Sequence, residues 1–272
     1  MGDLHLIGKG RLAEVFAWGD TKVLKLFLAG RDAAAIEAEA RVSQIVHEAG
    51  VATPGTHGVV EVKGRQGIVY DRAFGVSMLA LLSAKPWKLF EFGRTLAELH
   101  VSVHQCCVDE LPSQREQLER LIARAELPTT QRDLALARLR ELPEGTAICH
   151  GDFHPDNVLI NGDAATIIDW TTACVGNPAA DFALTSLILH LGASPPSSSL
   201  WTRIAIRIGR VLFYHSYANR YRRLRYLSLQ DVQPWTLPIA VARLGYEITA
   251  ERDQLVTLIN QAAKSKSSRA SD

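Results

Sequence analysis

The chain has 272 residues, enough for one large domain or two lobes, and its 47% hydrophobic and 22% charged residues are the balance of a soluble globular protein. A formal net charge of +1 gives the molecule as a whole no electrostatic preference for nucleic acid or for a membrane surface. Cys106, Cys107, Cys149 and Cys174 have neither zinc-site spacing nor the look of a disulfide framework, and are expected to be reduced thiols of a cytoplasmic protein. The N-terminus lacks a signal-peptide pattern, and the most apolar segment, Phe182 to Leu191, is too short to span a bilayer.

In chain order, Leu4 to Ile7 and Val15 to Trp18 read as strands around a Gly-containing loop, followed by a strand over Val23 to Phe27. Asp32 is placed to cap a helix running from Ala33 to about Ala49. Val59 to Val62 and Gly67 to Tyr70 read as a hairpin turning at Lys63-Gly64-Arg65. Together these predict a small β-rich lobe with one main helix. After Gly75 the period becomes helical: Leu89 to Val103, Arg115 to Ala125 and Thr130 to Leu142. A short strand, Thr146 to Cys149, runs into a His/Asp-rich loop. A second hairpin follows, Val158 to Ile160 and Ala165 to Ile168, turning at Asn161-Gly162-Asp163. From Pro178 onward the chain reads as mostly helical, with a disordered polar tail expected over Lys264 to Asp272.

The sharpest chemical signal is His150-Gly151-Asp152-Phe153-His154-Pro155-Asp156-Asn157, followed by Ile167-Ile168-Asp169-Trp170. Folding the second hairpin back brings Asn157 and Asp169 close together. Their hard oxygen donors suit magnesium bound to nucleotide phosphates. Asp152 is then a carboxylate beside that site, free to take a proton from an attacking hydroxyl. In the N-terminal part, Gly8 and Gly10 let backbone approach phosphates closely, and Lys25 sits in the middle of an apolar strand where a charge needs a partner. Glu39 shares a helical stripe with Ala35, Ala38, Val42 and Val46, whereas Glu37 lies on a different face. Glu39 is therefore the expected partner of Lys25.

The string H-G-D-x-H-P-x-N followed by I-D-W resembles the aminoglycoside phosphotransferase and choline kinase-like family, whose fold is similar to that of the protein kinases. The resemblance runs from the Gly8-Lys9-Gly10 loop to the C-terminal helices. It implies an α+β bilobal fold: a nucleotide-binding N-lobe over residues 1–72 and a mostly helical catalytic and acceptor-binding C-lobe over residues 73–272. It also implies ATP and Mg2+ as cofactors, Asp152 as catalytic base, Asn157 and Asp169 as metal ligands, and Lys25 on the phosphates. By the same resemblance the adenine sits between the lobes. Val15 and Val23 are above it, Leu159 and Ile168 below, and the backbone of the Tyr70-Asp71-Arg72-Ala73 connector, at Asp71 and Ala73, bonds the base. His150 packs beneath the loop, and Asp181 holds the loop through its backbone. His154 reads as a structural hydrogen-bonding residue.

The expected function is transfer of the γ-phosphoryl group of ATP to a hydroxyl of a small molecule: an aminoglycoside or other antibiotic, a sugar, or an amino alcohol. The alternative is a kinase-like nucleotide-binding scaffold without turnover. Asp169 is followed almost at once by Gly176-Asn177-Pro178, with no A-P-E motif, which leaves no room for a peptide-docking segment. From Phe182 to Gln230 there is no Asp or Glu, but there are seven arginines between Arg203 and Arg225. Facing the cleft, they would select a neutral or anionic acceptor; otherwise they are a solvated face or a subunit contact. Tyr214, Tyr217, Tyr221 and Tyr226 could stack on a sugar ring or simply pack. Trp170, Trp201 and Trp235 leave room for an aromatic cage around a quaternary ammonium group.

Overall fold

The computed structural model describes residues 5–191 and 199–267. The chain opens with β1 (Leu6–Lys9), β2 (Ala13–Ala17), β3 (Lys22–Phe27), helix α1 (Ala33–Glu48), β4 (Thr56–Val62) and β5 (Arg65–Asp71). The strands form one antiparallel sheet in the order β1-β2-β3-β5-β4. Lys63 and Gly64 turn β4 into β5 with φ of 53° and 74°. Two consecutive positive φ values give a hairpin the twist its strands need, and glycine adopts one of them without steric penalty. Asp32 caps α1, accepting a hydrogen bond from the Ala34 amide.

Alternation along β3 decides what each side chain meets. Leu24 and Leu26 bury against Val62 and Val69 on one face. Phe27 buries on the other with Ile36 and Ala40 of α1. Lys25, two residues from Phe27, therefore points to the helix side. The buried stripe of α1 is Ile36, Glu39, Ala40, Val42, Ser43 and Val46, while Ala38 is exposed. The expected stripe through Ala35 and Ala38 is corrected by one residue, because Ile36 offers far more apolar surface to the core than either alanine.

The chain continues through β6 (Val76–Ser77), α2 (Met78–Ala84), α3 (Leu89–Val103), α4 (Gln114–Arg124), α5 (Thr129–Glu141) and β7 (Ala147–Cys149). The hairpin of β8 (Val158–Asn161) and β9 (Ala164–Ile167) follows, then β10 (Cys174–Gly176), which pairs with β7. Helices complete the chain: α6 (Pro178–Leu191), α7 (Leu200–Arg225), α8 (Leu229–Val232), α9 (Thr236–Leu244) and α10 (Arg252–Ser267). The polar tail expected from Lys264 begins inside α10, and residues 268–272 lie outside the described residues. No helix of the described residues is long and apolar enough to cross a membrane.

Two compact units result. The first comprises Met1–Ala80 and Pro155–Thr172, the second Leu81–His154 and Ala173–Asp272. The β8–β9 hairpin joins the first unit by pairing β8 with β6, by the Ile167 amide donating to Ala52 O, and by Trp170 Nε1 donating to Thr53 Oγ1. The second unit is organised around Leu118 and Ile122 of α4, Ala180 of α6, Ile239 and Val241 of α9, and Leu255 and Ile259 of α10. α3 packs on α7, with Gly93 so close to Ser216 that a Cβ there would lie 2.7 Å from the Ser216 Cβ.

Candidate functional site

The first unit gathers one cation, two carboxylates and an amide. Lys25 Nζ donates to Glu39 Oε1 at 2.6 Å and to Asp169 Oδ1 at 2.9 Å. Glu39 is buried and Glu37 exposed, as the helical spacing predicts. Burial alone would depress the Lys25 pKa, but Asp169 and then Glu39 outweigh it and raise it above its ordinary value. Burial, reinforced by Glu39, pushes the neighbouring Tyr70 hydroxyl up to about 12.

Asn157 and Asp169 meet through the hairpin ladder. Val158 pairs with Ile167, and the Ile168 amide donates to Asn157 O at 3.0 Å, so Asp169 follows directly on the residue bonded to Asn157. Asp169 has φ of 67°, a left-handed conformation unusual for a residue with a Cβ and one that clusters at functional sites. Its Oδ1 also accepts from Thr171 Oγ1 at 2.8 Å. A carboxylate and a carboxamide on one short ladder are the hard oxygen donors that magnesium takes.

Gly8 ends up inside β1, and Gly10 opens the turn that closes with Gly10 N donating to Ala13 O. Neither has a positive φ, and a Cβ would meet only ordinary contacts: 3.6 Å to Val15 Cβ at Gly8 and 3.4 Å to Ala13 O at Gly10. Folding therefore does not require glycine at either place. Val15, Val23, Leu159 and Ile168 are each only partly buried, unlike the core residues beside them. The Asp71 amide donates to Gly55 O, and its Oδ1 lies 2.7 Å from His57 Nε2; Ala73 lies just past the end of β5.

The second unit carries Asp152. β7 leads into His150, fully buried, then Gly151 at φ of 76°, then Asp152. Asp181, in the first turn of α6, accepts from the His150 amide at 2.7 Å and the Gly151 amide at 3.0 Å, and so fixes the backbone just before Asp152. His150 Nδ1 accepts from the Asp152 amide at 3.3 Å, and Phe153 is buried, stacked 4.3 Å from His100. His154 Nε2 stands 3.6 Å from Asp152 Oδ2.

Sequence reasoning missed what stands behind Asp181. His100 of α3 and His104 at its C-cap direct Nε2 at Asp181 Oδ2, at 3.1 and 3.2 Å. Their Nδ1 atoms lie 2.7 Å from Tyr217 OH and 2.6 Å from Tyr221 OH of α7. Both pairs have i, i+4 spacing on helices that otherwise bury apolar residues there, and that was the available signal. Burial, with His104 adding to it, pushes His100 down to about 3. Burial would raise the Asp181 carboxyl, but hydrogen bonds from His100 and His104 hold it well below its usual range. Every donor atom of this trio already has a partner, so it is complete as a hydrogen-bond network without a cation. Arg243 of α9 was also missed; its Nη1 donates to Asp152 Oδ1 at 3.1 Å.

Comparison with family models matches residues 3–227 to APH, the "Phosphotransferase enzyme family". The chain belongs to this family. Two solved structures share the fold of this phosphotransferase. One is the amicoumacin kinase hAmiN in complex with AMP-PNP, Ca2+ and Ami, with TM-score 0.63, 15% identity, and coverage of 97% of this chain and 88% of that one. The other is an aminoglycoside-3'-phosphotransferase of type VIII, with TM-score 0.59, 18% identity, and coverage of 90% and 93%. The α+β, protein kinase-like architecture expected from the motif is the one present. Among curated proteins, a 44-residue stretch is 46% identical to the uncharacterized protein YcbJ of Bacillus subtilis (strain 168), and it spans 15% of this chain and 14% of that protein.

Tyr217 and Tyr221 are buried partners of histidines rather than open rings, and Trp170 and Trp235 are buried too. Tyr226 and Trp201 are exposed. Of the arginines on α7, Arg220 pairs with Glu98 at 2.7 Å and Arg222 Nε donates to Leu227 O, while Arg203 and Arg207 are exposed.

Proposed function

We propose that this phosphotransferase moves the γ-phosphoryl group of Mg-ATP to a hydroxyl of a small molecule. The observation that carries the reading is Lys25 held between Glu39 and Asp169, with Asp169 in a left-handed conformation one residue beyond the Asn157–Ile168 hydrogen bond. A lysine so placed needs no second carboxylate for folding, and a strained aspartate beside an amide donor is explained by a metal ligand. Asn157 and Asp169 would hold the metal, which when bound neutralises charge on the nucleotide phosphates.

The chain's own residues supply the rest. Gly8 and Gly10 leave room for phosphates where folding would tolerate a side chain. Lys25 directs its ammonium at the phosphates, oriented by Glu39. Val15, Val23, Leu159 and Ile168 present apolar surface to the adenine, and the backbone of Asp71 and Ala73 bonds its edge. Asp152 orients the acceptor hydroxyl and takes its proton as the new O–P bond forms and the bond to ADP breaks. On this reading residues 1–72 are the nucleotide-binding lobe and residues 73–272 the catalytic and acceptor lobe.

The acceptor is small. Asp169 and the start of α6 at Pro178 are joined by a stretch already occupied by β10, which leaves nothing to dock a peptide. An aminoglycoside or other hydroxylated antibiotic, a sugar, or an amino alcohol fits, and the aminoglycoside phosphotransferase among the structural neighbours is in keeping with the first. Four free thiols suit the reducing cytoplasm, where ATP is available. The deciding experiment is ADP release from Mg-ATP with aminoglycosides, other hydroxylated antibiotics, choline, ethanolamine, sugars and hydroxy amino acids. Stimulation by one class confirms the activity and names the acceptor. Mg-ATP binding without any stimulation favours a scaffold, and no Mg-ATP binding overturns the reading.

A further inference from the structure

Arg243 interrupts the buried apolar run Leu237–Leu244 of α9, and its side chain is 8% exposed. A guanidinium in such a place must be paired. Nε and Nη2 donate to the two oxygens of Glu251 at 2.7 and 2.9 Å, a two-bond fork that fixes the guanidinium plane. Tyr246 lies under it, 5.6 Å from ring centroid to Cζ. The remaining edge presents Nη1 to Asp152 Oδ1 at 3.1 Å. One carboxylate would suffice to neutralise one arginine, so the second contact calls for a reason beyond charge balance.

That reason is orientation. With Oδ1 held, the Asp152 carboxylate cannot rotate freely, and Oδ2 is left on the side of His154 Nε2, 3.6 Å away. We propose that Arg243, clamped by Glu251, is a positioning residue for Asp152: by holding Oδ1 it fixes the direction in which the carboxylate faces the acceptor hydroxyl. Arg243 and Glu251 both lie beyond residue 227, where the family match ends. The inference rests on Asp152 as base.

Among the described residues, the titratable groups that act on Asp152 include His154 and His150 of its own loop, Arg243 of α9 and Tyr246 after it. Burial pushes the Asp152 carboxyl up, but His154, Arg243 and His150 together bring it down to about 2. Orientation is thus gained with some loss of basicity, which suits a group that positions the hydroxyl first and takes the proton late.

The test uses Arg243→Gln, Arg243→Lys and Glu251→Gln in the full chain. Two readouts are needed: acceptor-dependent kcat with KM for ATP, and a carbon-13 NMR titration of the Asp152 carboxyl, assigned with Asp152→Asn. Arg243→Gln should lower kcat roughly 10- to 100-fold with KM for ATP within about twofold, and raise the Asp152 pKa by about one unit. Arg243→Lys should restore the titration but only part of kcat, because charge returns without the fork. Glu251→Gln should lower kcat while Asp152 stays acidic, and it carries the test if Arg243→Gln does not fold. Wild-type kcat in both Arg243→Gln and Glu251→Gln, or an Asp152 titration unmoved in Arg243→Gln, overturns the inference. If no acceptor stimulates the wild-type protein, a shifted titration upholds the contact while the kinase reading fails.

Discussion

Glu39 Oε1 accepts a 2.6 Å hydrogen bond from Lys25 Nζ, tying the middle of β3 to the buried stripe of α1. Removing the cation alone leaves a carboxylate that is 3% exposed without its partner. Lys25→Met is therefore expected to destabilise the fold by about 3 kcal/mol. The double variant Lys25→Met, Glu39→Leu should regain most of that stability, because the buried pair is replaced by apolar packing. Neither variant should bind Mg-ATP as tightly as the wild type. Urea unfolding and calorimetry separate the two effects, and full nucleotide affinity in the double variant would remove Lys25 from the phosphate site.

Asp169 combines a proposed ligand role with backbone strain, and two substitutions pull these apart. Asp169→Ala and Asp169→Gly both delete the carboxylate and should weaken Mg-dependent nucleotide binding tenfold or more. Glycine adopts φ of 67° without penalty whereas alanine does not. Asp169→Gly should thus be more stable than Asp169→Ala by about 1 kcal/mol. Equal stabilities would mean that the backbone relaxes once the side chain is gone.

Asp152→Asn keeps the shape of the side chain and removes its ability to take a proton. Turnover should fall by a factor on the order of 10²–10⁴ while Mg-ATP affinity holds. ADP release and calorimetry on the same preparation check this. A variant with full activity would show that Asp152 is not the base.

His100 gives the fold a pH dependence of known sign. Its pKa is about 3 in the fold against 6.5 when exposed, so in that interval the unfolded chain binds a proton that the native protein does not. Stability should fall as pH drops below 6.5, by up to about 1.4 kcal/mol per pH unit. Asp181, whose pKa lies well below 3.8 in the fold, adds its own loss only as the pH falls beneath that value. His100→Gln should flatten the slope between pH 6.5 and 4, measured by urea unfolding at several pH values. An unchanged slope would place the acid sensitivity elsewhere.

The chain's local strings determined the parts of the site whose geometry is local. Asn157 and Asp169 are joined by one hairpin, so the motif and its Asn-Gly turn specify how they meet. Lys25 in an apolar strand and Glu39 on the inward stripe of the next helix are linked by two periodicities legible from sequence alone. Partners brought from far along the chain were decided only by tertiary packing. Asp169 joins Lys25 across 144 residues, His100 and His104 reach Tyr217 and Tyr221 across 117, and Arg243 reaches Asp152 across 91. The physical reason is common to all three. A buried polar side chain in an apolar run announces that it must have a partner. Which distant residue fills that place is set by how helices and strands pack, and that register is not written in the spacing of either segment.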